Sequence, residues 1–506
     1  MSLMALIERL RKIMRKDKGV DGDAQRLSQI VWLIFLKIFD FKEEEGELSD
    51  TYEPVIPEGY RWRDWADTGD VKNALTGDEL LNFVNNVLIP VLKGDSIEKD
   101  GKKVHPFDGT DDRSLMVKKI MSDTVNYMKD GYILREVIDT LNEVDFADSA
   151  EAHQFNDMYE AMLKELQSAG SSGEFYTNRA ITSFAIEKID PQIGGVLADW
   201  AAGTGGFLVD GLEHMSRQVG NNAEAQKLLQ TGIRGGEYKP LPYKLLITNL
   251  LLHDIELPNI HYGDSLDEKN FGEYMGDDLV DYEAMNPPYG GVATQGDKLA
   301  FPADMRSSET ADLFVALEVK RLKQGGRAVI VLPDGFLFGN DNAKLAIKKY
   351  LMGECNLHTI IRLPQSCFAP YTSIATNLLF FDKTGPTHEV WYYRLDMPEG
   401  YKHFSKTKPM LKEHFDGVRK WWDDRHEIVD EKTDDSTTTT YKSRCYSMEE
   451  IEANGYNLDL CGYPTEEKII LSPEETMSRF VEKRAKLDKE MDEQLARIRQ
   501  MLEVKG

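Results

Sequence analysis

The sequence predicts an α/β protein: a doubly wound, mostly parallel sheet preceded by a helical region and followed by one long helix. Three observations carry that expectation. From about residue 173 to 385, short apolar runs ("GGVLADW", "GIRGGE", "VDYEAM", "RAVIVLP", "LHTIIRLP", "NLLFFDK") alternate with amphipathic stretches such as "LPYKLLITNLLLHD" and "ADLFVALEVKRLKQGG", the pattern of βαβ units. Residues 1 to about 165 instead space their apolar positions by three and four, as in "DAQRLSQIVWLIFLKIFDFKEEE" and "DELLNFVNNVLIPVLKG", which is the helical period. The predicted strands then end on glycines, acids or Asn-Pro-Pro, at the carboxyl edge where ligands of such sheets sit.

Taken in order, the helical region spans 1–165, a catalytic-type sheet 166–472 and a terminal helix 473–506. A chain of 506 residues with 41% hydrophobic and 29% charged residues is long enough for two to four domains and can bury a sizeable core. "IVWLIFLKIF" at 30–39 is broken by Lys37 and is too short for a membrane span, so no membrane association is expected. "FKEEEGE" reads as a solvated face. "DEKTDDSTTTTYKS" at 430–443 reads as a polar loop. Ser472-Pro473-Glu474-Glu475 is a capping box with proline at the first helical position. Leu487, Met491, Leu495, Ile498 and Leu502 form one apolar stripe after it, which needs its own domain or a partner helix to pack on.

Cys355, Cys367, Cys445 and Cys461 share no CxxC spacing and no histidine at a ligand offset. No structural metal or disulfide framework is expected, and a reducing, cytoplasmic compartment fits. The net charge of −26 argues against a protein that grips a polyanion alone, because neutralised phosphates supply most of such affinity. If nucleic acid is the substrate, another chain brings much of the grip.

The predicted first strand runs through Asp199 into Gly203, Thr204, Gly205 and Gly206. Glycines at a strand-to-helix turn let a ligand approach backbone N–H groups, although such a turn is about as often tight packing as a cradle. It is neither GxGxxG nor a phosphate loop. The second strand ends at Glu237, where a ribose would lie in a doubly wound sheet, and the third is followed by Asp264 and Ser265, placed for an adenine amino group. Each acid alone could be a cap or a surface charge. Three such ends in succession point to an adenosine-bearing cofactor.

The fourth strand is followed by Asn286-Pro287-Pro288-Tyr289. Two prolines stop a ladder and stiffen the chain. A nucleobase amine is a poor nucleophile because its lone pair is delocalised into the ring. Two rigid acceptors, the Asn286 side chain and the Pro287 carbonyl, favour its pyramidal form and free the lone pair to attack a methyl sulfonium. Tyr289 offers a face on which an extruded base can stack. This chemistry needs no metal.

These motifs resemble the DNA adenine methyltransferases, and more closely the modification subunit of type I restriction-modification systems. The likeness covers most of the chain and rests on "DMYEAMLKEL…GSSGEFYTNR", "ADWAAGTGGFL", "GGEYKPLPYKLLITNLLLHDI", "GDSL", "NPPYGG", "ADLFVALEVKRLKQGGRAVIVLPDGFLFG", "IIRLPQSCFAPYTSIATNLLFFDK" and "GYNLD". The resemblance implies an S-adenosylmethionine-dependent methyltransferase sheet and methyl transfer from that cofactor to the 6-amino group of adenine in double-stranded DNA. It implies two copies of the chain with one specificity subunit that reads the sequence, and a restriction subunit that joins them. It also implies Glu174, Phe175, Tyr176 and Thr177 as neighbours of the methionine end, Asp199 and the Gly203 turn as its holders, Glu237 at the ribose and Asp264 at the adenine. The family often has proline where this chain has Trp200 and Asn178, and a cysteine before the glycines, which puts cofactor affinity in question more than activity. Competing readings are a protein glutamine methyltransferase, which uses the same turn, a cytosine 4-amino methyltransferase, which more often has serine at the Asn286 position, and a non-catalytic assembly subunit.

Overall fold

The computed structural model describes residues 3–67, 69, 74–144, 176–220, 222–369, 374–405, 407–430 and 440–462, with single helical positions at 477, 484 and 491. Ser472, the terminal stripe apart from Met491, the segment 431–439, and Glu174 and Phe175 lie outside the described residues. Residues Met1–Ile428 and Lys442–Cys461 form one compact unit.

The N-terminal region is helical as its periodicity predicts, with α1 (Leu3–Met14), α2 (Asp23–Gly46), α3 (Asp112–Ser122) and α4 (Gly131–Asn142) as its longer elements. A small hairpin, Ile97–Lys99 with Lys102–Val104, interrupts it. Asp111 and Asp130 cap α3 and α4 by accepting from backbone N–H groups of the first turn. The run at 30–39 is core: Ile30 to Leu36, Ile38 and Phe39 are all buried. Its one charge is placed by chemistry, since the Lys37 ammonium donates to the carbonyls of Leu141 (2.6 Å) and Val144 (2.7 Å) at the end of α4. No described helix is long and apolar enough to cross a membrane. The solvated-face reading of "FKEEEGE" needs correction at Glu43. Glu44 and Glu45 are exposed, but Glu43 is buried and its carboxylate accepts from the backbone N–H groups of Val55 and Ile56. It falls on the Leu36–Phe39 side of α2 and is satisfied there by a passing turn.

The main sheet contains β1 (Leu197–Asp199), β2 (Ile233–Glu237), β3 (Asn259–Tyr262), β4 (Val280–Met285), β5 (Leu322–Pro333), β6 (Asn356–Arg362), β7 (Thr376–Asp382), β8 (Glu389–Arg394) and β9 (Tyr441–Ser447). They lie side by side in the order β3-β2-β1-β4-β5-β7-β6-β8-β9. β1 to β5 are parallel neighbours, β6 is parallel to β8, and β7 runs antiparallel between β5 and β6. Side chains alternate between two cores. Val329 and Val331 of β5 enter one, and Ala328, Ile330 and Leu332 the other. Both faces are therefore covered, which is why these strands read as nearly continuous apolar runs.

The chain winds outward from β1 through β2 to β3, then returns to the other side of β1 for β4 and β5. The switch point thus falls between β1 and β4, and the crevice outside their carboxyl ends is where such sheets hold ligands.

Candidate active site

At the end of β1 the chain enters a glycine turn and then α6 (Gly206–Val219), which follows α5 (Arg179–Ile189). Gly203 and Gly205 have φ of 56° and 87°, a left-handed conformation that costs a residue with a Cβ about 1–2 kcal/mol. At Gly205 a Cβ would also stand 2.5 Å from Leu246 Cδ1. The turn is pinned by Gly205 N–H to the Ala202 carbonyl (2.8 Å) and Ala202 N–H to the Gly236 carbonyl (2.9 Å). Asn249 Nδ2 donates to the carbonyl of Thr204 at 3.2 Å.

The acids of the first two strands meet at this turn. Glu237 Oε2 accepts from Gly203 N–H (2.8 Å) and Oε1 from Lys239 N–H (2.6 Å), so the carboxylate of β2 holds the loop of β1. Asp199 is wholly buried, and its Oδ1 accepts from Ala201 N–H at 3.0 Å. Burial raises the Glu237 carboxyl to about 7 and pushes Asp199 well above the usual carboxylate range. Asp264 follows β3; its Oδ1 accepts from Leu266 N–H (3.0 Å), and burial raises it as well. Ser265 is buried against β2, where a Cβ on Gly236 would come within 2.1 Å of its Oγ. Asp199, Gly203, Thr204, Gly205, Gly206, Glu237, Asp264 and Ser265 thus converge at three adjacent strand ends.

Tyr176 and Thr177 lead into α5, whose first turn is capped by Asn178 Oδ1 accepting from Ala180 N–H at 2.8 Å. Arg179 Nη1 donates to the Gly206 carbonyl at 2.6 Å, fastening the start of α5 to the start of α6. Asn178 is thus a side-chain helix cap.

Beyond β4, Pro287 is buried, Pro288 exposed, and Asn286 and Tyr289 half-buried. Asn286 Nδ2 donates to Thr177 Oγ1 at 3.1 Å, and the Tyr289 hydroxyl donates to Asn286 Oδ1. Burial raises the phenol well above its ordinary range, so it remains a donor. The Tyr289 ring meets Phe368 edge to face, with centroids 6.4 Å apart. The amide after β4 is thereby connected to the segment that borders the glycine turn.

Trp200 is explained by groups that the sequence alone did not single out. Its Nε1 donates to Glu283 Oε1 at 2.7 Å, and the Arg321 guanidinium carbon stacks 3.3 Å from its ring centroid. Arg321 also pairs with Glu268 at 3.2 Å. Glu283 and Glu318 are fully buried, and burial raises Glu283 to about 8 and Glu318 well above the ordinary range. The signal that could have found them was a carboxylate inside each of two apolar runs, "VDYEAM" and "ADLFVALEVKR". Phe368 was hidden in a loop with no periodicity.

Comparison with known proteins gives these loops a family. The N-6 DNA Methylase family model matches residues 150–470, and an HsdM N-terminal domain model matches residues 5–141. The chain is 45% identical over 488 residues to the Type I restriction enzyme EcoEI methylase subunit of Escherichia coli, covering 96% of each chain. It is 29% identical to the StySPI methylase subunit of Salmonella potsdam, covering 79% of this chain and 72% of that one. A solved chain from a study of complex assembly and conformational transition of the type I R-M system aligns with a TM-score of 0.77 and 33% identity, over 97% of both chains. The chain belongs to the N-6 DNA methylase family as a modification subunit of the type I restriction-modification kind.

Proposed function

We propose that this chain transfers the methyl group of S-adenosylmethionine to the 6-amino group of adenine in duplex DNA, within a complex whose separate specificity subunit reads the target. Two copies of this chain to one specificity subunit, with a restriction subunit able to join, is the assembly in this reading. The observation that carries it is the placement of Asn286-Pro287-Pro288-Tyr289 across the switch point from the cradle of β1, β2 and β3, with Thr177 between them.

The residues present fit the cofactor. Glycines in the left-handed region precede the N-terminus of α6, which suits a carboxylate. Glu237 and Asp264 are acceptors at adjacent strand ends, suited to ribose hydroxyls and to an adenine amine. Asp199 with the Gly203–Gly206 turn would hold the methionine part, with Glu174, Phe175, Tyr176 and Thr177 as its wall. Glu237 would hold the ribose, and Asp264 with Ser265 the adenine. When bound, the cofactor supplies an electrophilic methyl on a sulfonium.

The chain's own contribution to the transfer lies in acceptors. Asn286 Oδ1 and the Pro287 carbonyl accept the two amino protons of the target base, which localises the nitrogen lone pair. Oδ1 has two lone pairs, so it can serve the base while the Tyr289 hydroxyl holds it. Tyr289 and Phe368 give the extruded base an aromatic wall.

The test replaces the amide. In the complex with its specificity subunit, Asn286→Ala is expected to retain cofactor binding and to lower 6-methyladenine formation by at least about a hundredfold, the usual cost of losing a transition-state acceptor. Methylated cytosine, or a methylated protein with unmodified DNA, would overturn the reading.

A further inference from the structure

An amide is nearly symmetric in shape but not in chemistry. For Asn286 to receive an amino proton, its oxygen must face the base. With the nitrogen there, two donors would oppose one another. Something must therefore distinguish the two ends of this side chain.

Two hydroxyls do so. Thr177 Oγ1 lies 3.1 Å from Asn286 Nδ2, and the Tyr289 hydroxyl donates to Oδ1. Either hydroxyl could in principle play either part, but they are unequal. A phenol is the more acidic and donates better, and its oxygen lone pair is partly withdrawn into the ring. An alkyl hydroxyl is the better acceptor. The pair therefore favours the arrangement seen, Tyr289 to Oδ1 and Nδ2 to Thr177.

Thr177 also touches the other half of the site. Its carbonyl lies 3.8 Å from the point where a Cβ on Gly206 would stand, so its main chain borders the cofactor turn while its side chain holds the amide. The sequence led to the expectation of a cofactor neighbour alone.

We infer that Thr177 is a positioning residue for methyl transfer: its hydroxyl accepts from Asn286 Nδ2 and keeps Oδ1 turned toward the target amine. This rests on the reading of Asn286 as the acceptor for that amine. The hydroxyl holds the amide while the main chain borders the cofactor turn, so removing the hydroxyl separates the two contacts.

The experiment uses the chain co-purified with its specificity subunit, unmethylated genomic DNA and labelled S-adenosylmethionine. It measures the single-turnover methylation rate and, separately, cofactor affinity by calorimetry. Thr177→Val keeps the shape and removes the acceptor. It is expected to lower the rate roughly tenfold, the scale of one hydrogen bond, with cofactor affinity changed less than about twofold. Thr177→Ser restores the acceptor and is expected to recover most of the rate. Thermal melts of both variants check folding, and if Thr177→Val does not fold, Thr177→Ala takes its place with the same expectation. An unchanged rate in the folded acceptor-less variant overturns the inference, as does a loss of cofactor affinity that accounts for the whole effect. Failure of the wild-type complex to form 6-methyladenine removes the underlying reading instead, so the two failures are distinguishable.

Discussion

Glu237 shows how a single residue ties fold to ligand. In the free chain its carboxylate holds the Gly203 and Lys239 N–H groups, and burial keeps its pKa near 7, so it is partly protonated at neutral pH. In the proposed ribose role, the sugar hydroxyls donate to the carboxylate and favour its ionised form, so cofactor binding is expected to lower this pKa and release a proton. Affinity is then expected to rise between about pH 6 and 8 and to level off above. Calorimetry near pH 6.5 in buffers of different ionisation enthalpy should report the released proton, and Glu237→Gln should abolish both the release and the pH dependence. Binding without proton release would take Glu237 out of the ribose role. At this scale the gathering of glycines and acids at adjacent strand ends was legible, because each follows a run that reads as a strand. Trp200 was not legible. Its partner Glu283 lies 83 positions away, and nothing in the local sequence says that an indole in place of a proline will be met by a carboxylate and a guanidinium.

At the scale of elements, the helix Pro240–Leu252 between β2 and β3 explains why the N-terminal region exists in one unit with the sheet. It is mostly apolar and buried from Pro242 to Leu251, so it needs cover from two directions. The sheet gives one and α2 gives the other. Lys244 Nζ to Thr124 Oγ1 (2.8 Å), Tyr262 to Asp123 (2.5 Å) and Lys42 to Asp254 (2.7 Å) fix the register of that seam. A variant lacking residues 1–144 should expose this helix and be recovered in the insoluble fraction; a soluble, monodisperse fragment would show that the helix needs no such cover. The sheet carries a second expectation. Glu283 has its carboxyl raised by burial from an ordinary 4.5 to about 8, so its contribution to stability is full below about 4.5 and is lost as pH rises through about 8. The melting temperature should therefore fall from about pH 5 to 8 and level off above, and Glu283→Gln should flatten that slope while keeping an acceptor for the Trp200 indole. The six runs first read as strands are all strands, since alternation and apolar length survive folding. The reversal of β7 was not legible, because "NLLFFDK" presents the same side chains to the same two cores in either direction. The later strands β8 and β9 carry mixed aromatic and charged residues, which hid them.

At the scale of the whole molecule, charge sets what the chain can do alone. With 87 acidic against 61 basic residues, the chain needs local cations to meet a duplex, and three of the candidates are engaged within the chain. Lys344 pairs with Glu309 (2.9 Å) and Asp312 (3.0 Å), and Lys348 donates to the carbonyls of Leu337, Gly339 and Tyr456. Arg327 donates to the Asp190 carbonyl at 2.9 Å. An ammonium held by three carbonyls cannot also neutralise a phosphate. The chain alone is therefore expected to retain no labelled duplex at about 0.15 M salt, its Kd lying above the roughly 10⁻⁴ M that non-specific binders reach through phosphate contacts. Binding should appear when the specificity subunit is added, with a steep dependence on salt that belongs to that subunit. Lys348→Met separates the two roles. It removes the ammonium that three carbonyls share and should lower the melting temperature, yet leave the slope of log affinity against log salt unchanged. A shallower slope in that variant, or tight duplex binding by the chain alone, would mean that the acidic subunit carries its own phosphate grip and that chemistry and DNA holding are not divided between chains.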